Sequence, residues 1–96
     1  MIKQPAVYIV TNKNNGTLYT GVTSMLAKRI YEHKNEIIHG FTKKYNCKLL
    51  VFYELHATMD SAIIREKQIK AGSRKKKLQL IETMNPDWLD LYEEII

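Results

Sequence analysis

One acid in this chain sits where an acid is out of place. Glu66 belongs to the run Arg65-Glu66-Lys67-Gln68-Ile69-Lys70. On a helical wheel, Ala62 and Ile69 fall to one side of it and Ile63 to the other, so the carboxylate stands near the middle of an apolar arc. An ionised carboxylate there is destabilising unless it is paired or bound to metal. Two chemistries answer that: an ion pair to Lys70 or to Arg29 across the edge of the core, or ligation of a hard cation. Arg29 and His33 lie four residues apart, along one edge of a helix, and that edge could face a hairpin carrying Tyr8 and Tyr19. By composition the two tyrosines are ordinary strand residues. Arg74-Lys75-Lys76-Lys77 crowds four cations into the first turn of a helix, where the macrodipole already places positive charge. A bound phosphate would relieve that crowding and use the free N–H groups, and solvent screening would also relieve it.

Charge is distributed unevenly around these groups. Of the net +5, the stretch from Arg65 to Lys77 carries seven basic residues against the single acid Glu66, while Glu82 to the end carries five acids and no base. A concentrated basic face suits a polyanion, nucleic acid first, and equally describes a solvated basic helix balanced by an acidic tail. Cys47 is the one cysteine, so an internal disulfide and a thiolate zinc site are both excluded, and it is expected to be a small buried hydrophobe. His39 and His56 stand alone. With 96 residues, 45% of them hydrophobic and 26% charged, the chain is expected to form a single domain over 1–96, with the acidic segment 81–96 packed on it. No apolar stretch approaches the roughly 18 residues of a membrane span. The start, Met1-Ile2-Lys3-Gln4-Pro5, lacks the apolar core of a secretory signal, so a cytoplasmic protein is expected.

The elements that must position these groups follow from side-chain period and turn chemistry. Residues 6–11 are β-branched and aromatic and read as a strand, Asn15-Gly16 as a hairpin turn, and 17–22 as the returning strand. An even-numbered loop places Tyr8 and Tyr19 on one face; an odd one separates them. Thr23 or Ser24 is expected to cap a helix running to about Ile38, with Leu26, Ala27, Ile30, Tyr31, Ile37 and Ile38 on its core face. Residues 40–46 read as loop, and 48–55, nearly all apolar, as a central buried strand. Thr58 caps a second helix ending at Gly72, Ser73 caps a third, and Asn85-Pro86 stops it. Trp88 and Leu91 are expected to fold back onto the body. The reading is α+β, in the order β-β-α-β-α-α: a three-stranded, mostly antiparallel sheet flanked by three helices.

With those residues laid out, the chain resembles the GIY-YIG nucleases, and more closely their small standalone bacterial members. Ala6-Val7-Tyr8 corresponds to the first family tripeptide and Tyr19-Thr20-Gly21 to the second, followed by Arg29 and His33 on the first helix and Glu66 on the second. Ser73-Arg74-Lys75-Lys76-Lys77-Leu78 and Asn85-Pro86-Asp87-Trp88 also match the standalone group. Intervals of 11, 10 and 37 residues separate Tyr8, Tyr19, Arg29 and Glu66. The departures are Ala6 for glycine and Val7 and Thr20 for isoleucine, and Val22-Thr23 stands where some relatives carry a lysine.

The resemblance implies a metal-dependent endonuclease hydrolysing DNA phosphodiesters, structure-selective or weakly sequence-specific, with a place in DNA repair or recombination. Glu66 would hold one divalent cation, magnesium or manganese. Arg29 would clamp the scissile phosphate, Tyr8 would act as general base or water-orienting hydroxyl, and Tyr19 and His33 would complete the hydrogen-bond network, His33 relaying a proton. Lys70, Arg74, Lys75, Lys76 and Lys77 would bind flanking phosphates, salt-dependently and without reading bases. The residues do not separate DNA from RNA. No recognition helix is present, so selectivity is expected from DNA shape or from a protein partner. The rival readings are a non-catalytic nucleic-acid-binding or adaptor domain on the same fold, and a protein-interaction module using the tail around Trp88 and Tyr92.

Overall fold

Alternation of side chains makes a hairpin of the first third of the chain. The computed structural model describes residues 3–96; Met1 and Ile2, the start of the stretch read above for a leader, lie outside the described residues. Strand β1 (Ala6–Thr11) pairs antiparallel with β2 (Leu18–Thr23), Tyr8 opposite Gly21 and Val10 opposite Tyr19. The loop spans residues 12–17, an even count, so the two tyrosines share a face. It is longer than the two-residue Asn15-Gly16 turn because Asn12 ties it internally: its Oδ1 accepts from the Thr17 N–H at 3.1 Å, while the Gly16 N–H donates to the Lys13 carbonyl at 2.9 Å. Asn15 takes the left-handed conformation (φ 56°), which asparagine tolerates.

Helix α1 (Leu26–Lys34) follows, then a single turn, α2 (Phe41–Lys44), and strand β3 (Leu49–Leu55), which pairs antiparallel with the free side of β1. The sheet order is therefore β2-β1-β3, antiparallel throughout. The expectation of a central β3 is corrected: β1 is central, and all six of its residues are buried. The long apolar run of β3 has another cause. Ile9 faces Phe52 but Val10 faces Leu50, so a bulge at Val51 turns two successive side chains, Val51 and Phe52, to one face.

Helices α3 (Met59–Ala71) and α4 (Arg74–Met84) cover that face, where Val7, Ile9, Ala62, Ile69, Ile81 and Trp88 pack. Their caps are the expected ones: Thr58 accepts from the Ser61 N–H and Ser73 from the Lys76 N–H. On the other face Ala6, Tyr8 and Val10 pack with Leu26, Ile30, Leu50 and Leu91. The chain closes with α5 (Tyr92–Ile95). Trp88 and Leu91 are buried as expected, the Leu91 N–H donating to the Leu50 carbonyl at 2.7 Å and Asp90 pairing with Lys34. Five helices thus flank the sheet among the described residues, the three expected and the short α2 and α5.

The first helix departs from its expected bounds at both ends. Thr23 turns its hydroxyl to the Met25 N–H, and Met25 occupies the N-cap without a side-chain bond. The helix stops at Lys34 rather than Ile38. Ile37 N–H reaches back to Glu32 O and Glu36 N–H to His33 O, a Schellman closure with Glu36 at φ 55° where glycine usually stands. Ile37 is consequently exposed rather than in the core, and Tyr31, within the helix, is exposed as well.

Candidate active site

Tyr8 lies across the hairpin, and the residue beneath it has to be glycine. A Cβ on Gly21 would stand 2.4 Å from the Tyr8 Cζ and Oη. Laid flat there, the Tyr8 ring is 1% exposed and its hydroxyl meets His33 Nε2 at 2.9 Å. His33, also buried, is held from behind by the Thr42 Oγ1, 3.1 Å from its Nδ1. Tyr19 completes the cluster, its ring centroid 6.5 Å from that of Tyr8 and 6.0 Å from that of His33.

Arg29 stands one turn before His33, 40% exposed at its side chain, with Nε 3.4 Å from Glu32 Oε1. Burial pushes the Tyr8 phenol up to about 12, assisted by Tyr19, and outweighs the neighbouring Arg29 guanidinium, which pulls it down. Burial, then the Arg29 charge, brings His33 down to about 4. Both partners are therefore uncharged at neutral pH. A neutral imidazole has one N–H and one lone pair, so the proton order runs either Tyr8 O–H to Nε2 and Nδ1–H to Thr42, or the reverse. The Arg29 guanidinium alone therefore does not make Tyr8 a base in the free protein.

Glu66 comes from the far side of the sheet. Helix α3 packs across β1 and β2, and Lys70 reaches past edge strand β2 to place its ammonium 5.8 Å from the Tyr19 ring centroid. The same ammonium is 3.1 Å from Glu66 Oε2, whose side chain is 15% exposed. Of the two partners open to Glu66 in the sequence, Lys70 is the one it has. Tyr8, Tyr19, Arg29 and His33 thus cluster directly, and Glu66 joins them through Lys70. Among the described residues no three His, Cys, Asp or Glu side chains cluster as a closed metal cage.

The basic helix divides. Arg74 Nη2 donates to the carbonyls of Asn15 (2.9 Å) and Gly16 (2.7 Å), which fastens α4 to the hairpin loop. Arg74, expected as a phosphate ligand, thus has its Nη2 engaged by the turn. Lys77 Nζ meets the Lys70 carbonyl at 3.4 Å, while Lys75 and Lys76 are exposed. Replacing Arg74 by alanine is expected to lower stability by about 1–2 kcal/mol, since bonds to a charged group are removed, and Lys75→Ala to leave it unchanged. Paired thermal melts measure the difference.

Sequence reasoning missed Thr42. It falls in a segment with no periodicity, nine residues beyond His33, and only the turn of α2 brings its hydroxyl inward.

Residues 4–79 match the GIY-YIG catalytic domain family. A UPF0213 protein of Staphylococcus saprophyticus is 43% identical over 75 residues, 78% of this chain and 90% of the relative. A UPF0213 protein of Staphylococcus haemolyticus is 40% identical over 76 residues, 79% of this chain and 92% of the relative. The solution NMR structure of a UPF0213 protein from Bacillus halodurans superposes with a TM-score of 0.57 at 26% identity, covering 91% of this chain and 92% of that one. No helix among the described residues is long and apolar enough to cross a membrane. The chain belongs to the GIY-YIG nuclease superfamily, among the small bacterial UPF0213 proteins.

Proposed function

We propose that this chain hydrolyses DNA phosphodiesters as a magnesium- or manganese-dependent endonuclease, choosing its substrate by structure or weak sequence preference, in repair or recombination. The observation that carries this reading is the cluster itself. Two phenols, an imidazole and a half-exposed guanidinium converge, with a largely buried carboxylate one ammonium away. The residues fit a hard cation. Lys70 already supplies positive charge at Glu66 Oε2, and a hydrated magnesium needs a single protein carboxylate when water and substrate oxygens complete its shell. Bound through Glu66, the metal would set positive charge against the phosphoryl oxygens.

The remaining work falls to the chain. Arg29 presents a planar fork at the exposed rim and would hold the scissile phosphate, opposing charge as it develops. Tyr8 would orient the attacking water as a neutral phenol. As Tyr8 takes a proton from that water it would pass its own to His33 Nε2, and the imidazolium so formed would donate its Nδ1–H to Thr42 Oγ1. Lys70, Lys75, Lys76, Lys77 and the remaining N–H groups of Arg74 would meet flanking phosphates.

One observation favours a second reading. The Lys70 ion pair satisfies Glu66 without metal, as a non-catalytic nucleic-acid-binding domain would require. A nicking assay on branched and linear DNA with magnesium or manganese decides. Cleavage is expected, with Glu66→Gln and Arg29→Ala each reducing it at least about 100-fold while DNA binding persists. Binding without cleavage under either cation selects the second reading.

A further inference from the structure

A row of aromatic rings leads outward from the cluster. The Tyr19 ring centroid lies 5.9 Å from that of Phe41, and Phe41 lies 4.6 Å from Tyr45. Phe41 is 45% exposed and Tyr45 40%, so both keep much of their surface in water. Cations stand at both ends: Lys70 Nζ is 5.8 Å from the Tyr19 centroid and Lys44 Nζ 5.4 Å from that of Tyr45. Residues 39–48 hold Lys43, Lys44 and Lys48 and no acid. The row is fixed to the cluster, because Thr42, between Phe41 and Lys43, is the residue bonded to His33 Nδ1. Its carbonyl accepts from the N–H of buried Cys47 at 2.8 Å, which ties down the far end of the turn.

We propose that Tyr19, Phe41 and Tyr45 form a stacking platform for unpaired nucleobases, so that the site engages a single-stranded or flap segment of nucleic acid in preference to closed duplex. This deepens, and rests on, the reading of the cluster as a phosphodiester site. A base inside a duplex has both faces covered by its neighbours and cannot lie on a protein ring. An unpaired base can, and stacking is indifferent to its identity. The flanking lysines would follow the backbone charge. The same short helix sets the reach from the stacked bases to the phosphate held at Arg29.

The test is a fluorescence titration of the full chain, in EDTA to prevent cutting, against a 2-aminopurine single strand and the same strand in a duplex. Tighter binding of the single strand with quenching of the probe is expected. Phe41→Leu and Tyr45→Leu are each expected to weaken single-strand binding by roughly tenfold, with duplex affinity and thermal stability unchanged. Equal affinity for the two forms, absence of quenching, or leucine variants that bind the single strand like the parent would overturn the platform. A row serving another protein gives that last result. The hydrolytic reading fails separately: quenching that depends on the rings, without nicking under magnesium or manganese, leaves the platform standing and removes the nuclease.

Discussion

Gly21→Ala is expected to destabilise the protein by about 3 kcal/mol, the sum of overpacking and a stranded buried hydroxyl. The new methyl carbon would sit 2.4 Å from Tyr8 Cζ and Oη and 2.8 Å from Cε1. The ring has little room to retreat, since Tyr8 is 1% exposed and lies among Tyr19, His33 and the Leu26 and Ile30 side chains of its cluster. Any movement that clears the methyl also draws the hydroxyl away from His33 Nε2. For a chain of this size the loss corresponds to a fall in Tm of roughly 12–24 °C. Gly72→Ala is the milder comparison, because Gly72 has an ordinary φ of −74° and its Cβ would meet the Ile69 carbonyl at 3.3 Å, a tight contact but far short of the one at Gly21. A double-mutant cycle isolates the cause: in a Tyr8→Leu background the penalty of Gly21→Ala should shrink by more than half, because the clashing atoms are gone. An additive cycle would show that the ring does not lie across Gly21.

That pairing explains why some of the site was legible before the fold. Tyr8 and Tyr19 sit on strands, where period two decides the face once loop parity is known, and Arg29 and His33 sit one helical turn apart. Glu66 announced itself by breaking an apolar stripe, a signal that needs only the wheel of one helix. What was not legible depended on partners or on irregular backbone. The four basic residues at the start of α4 look alike in sequence, yet Arg74 clasps the hairpin loop and Lys75 is exposed, a distinction set by a loop 58 residues away. Glu36 gave no warning that it would close α1, because the left-handed residue of such a closure is usually glycine. The bulge at Val51 made an edge strand read as a central one. Helix α2 has a single turn and so no period to detect. It nevertheless carries Thr42, which holds His33.

The Tyr8–His33 pair also sets limits on the pH range of the fold. His33 binds its proton near pH 6.5 when unfolded and near pH 4 when folded. Between those values the unfolded chain binds more protons, so stability is full above pH 6.5 and falls as the pH drops to 4, by about 3 kcal/mol for this one group. Tyr8 behaves in the opposite sense. Its folded value is raised from 10.0 to about 12, so its contribution is complete below pH 10 and is lost on going to pH 12, again by about 3 kcal/mol. Both side chains are buried. Since domains of this kind hold 5–15 kcal/mol in all, the two limbs take a large share of it. Urea unfolding across the pH range should give a plateau between pH 6.5 and 10 with a flank on each side. His33→Gln should flatten the acid flank and Tyr8→Phe the alkaline one. Arg29→Met should make the acid flank shallower, because the guanidinium is the second cause of the low His33 value and without it the folded value moves back toward 6.5. A plateau continuing unchanged to pH 4 in the parent protein would mean that His33 is solvated rather than enclosed between Tyr8 and Thr42.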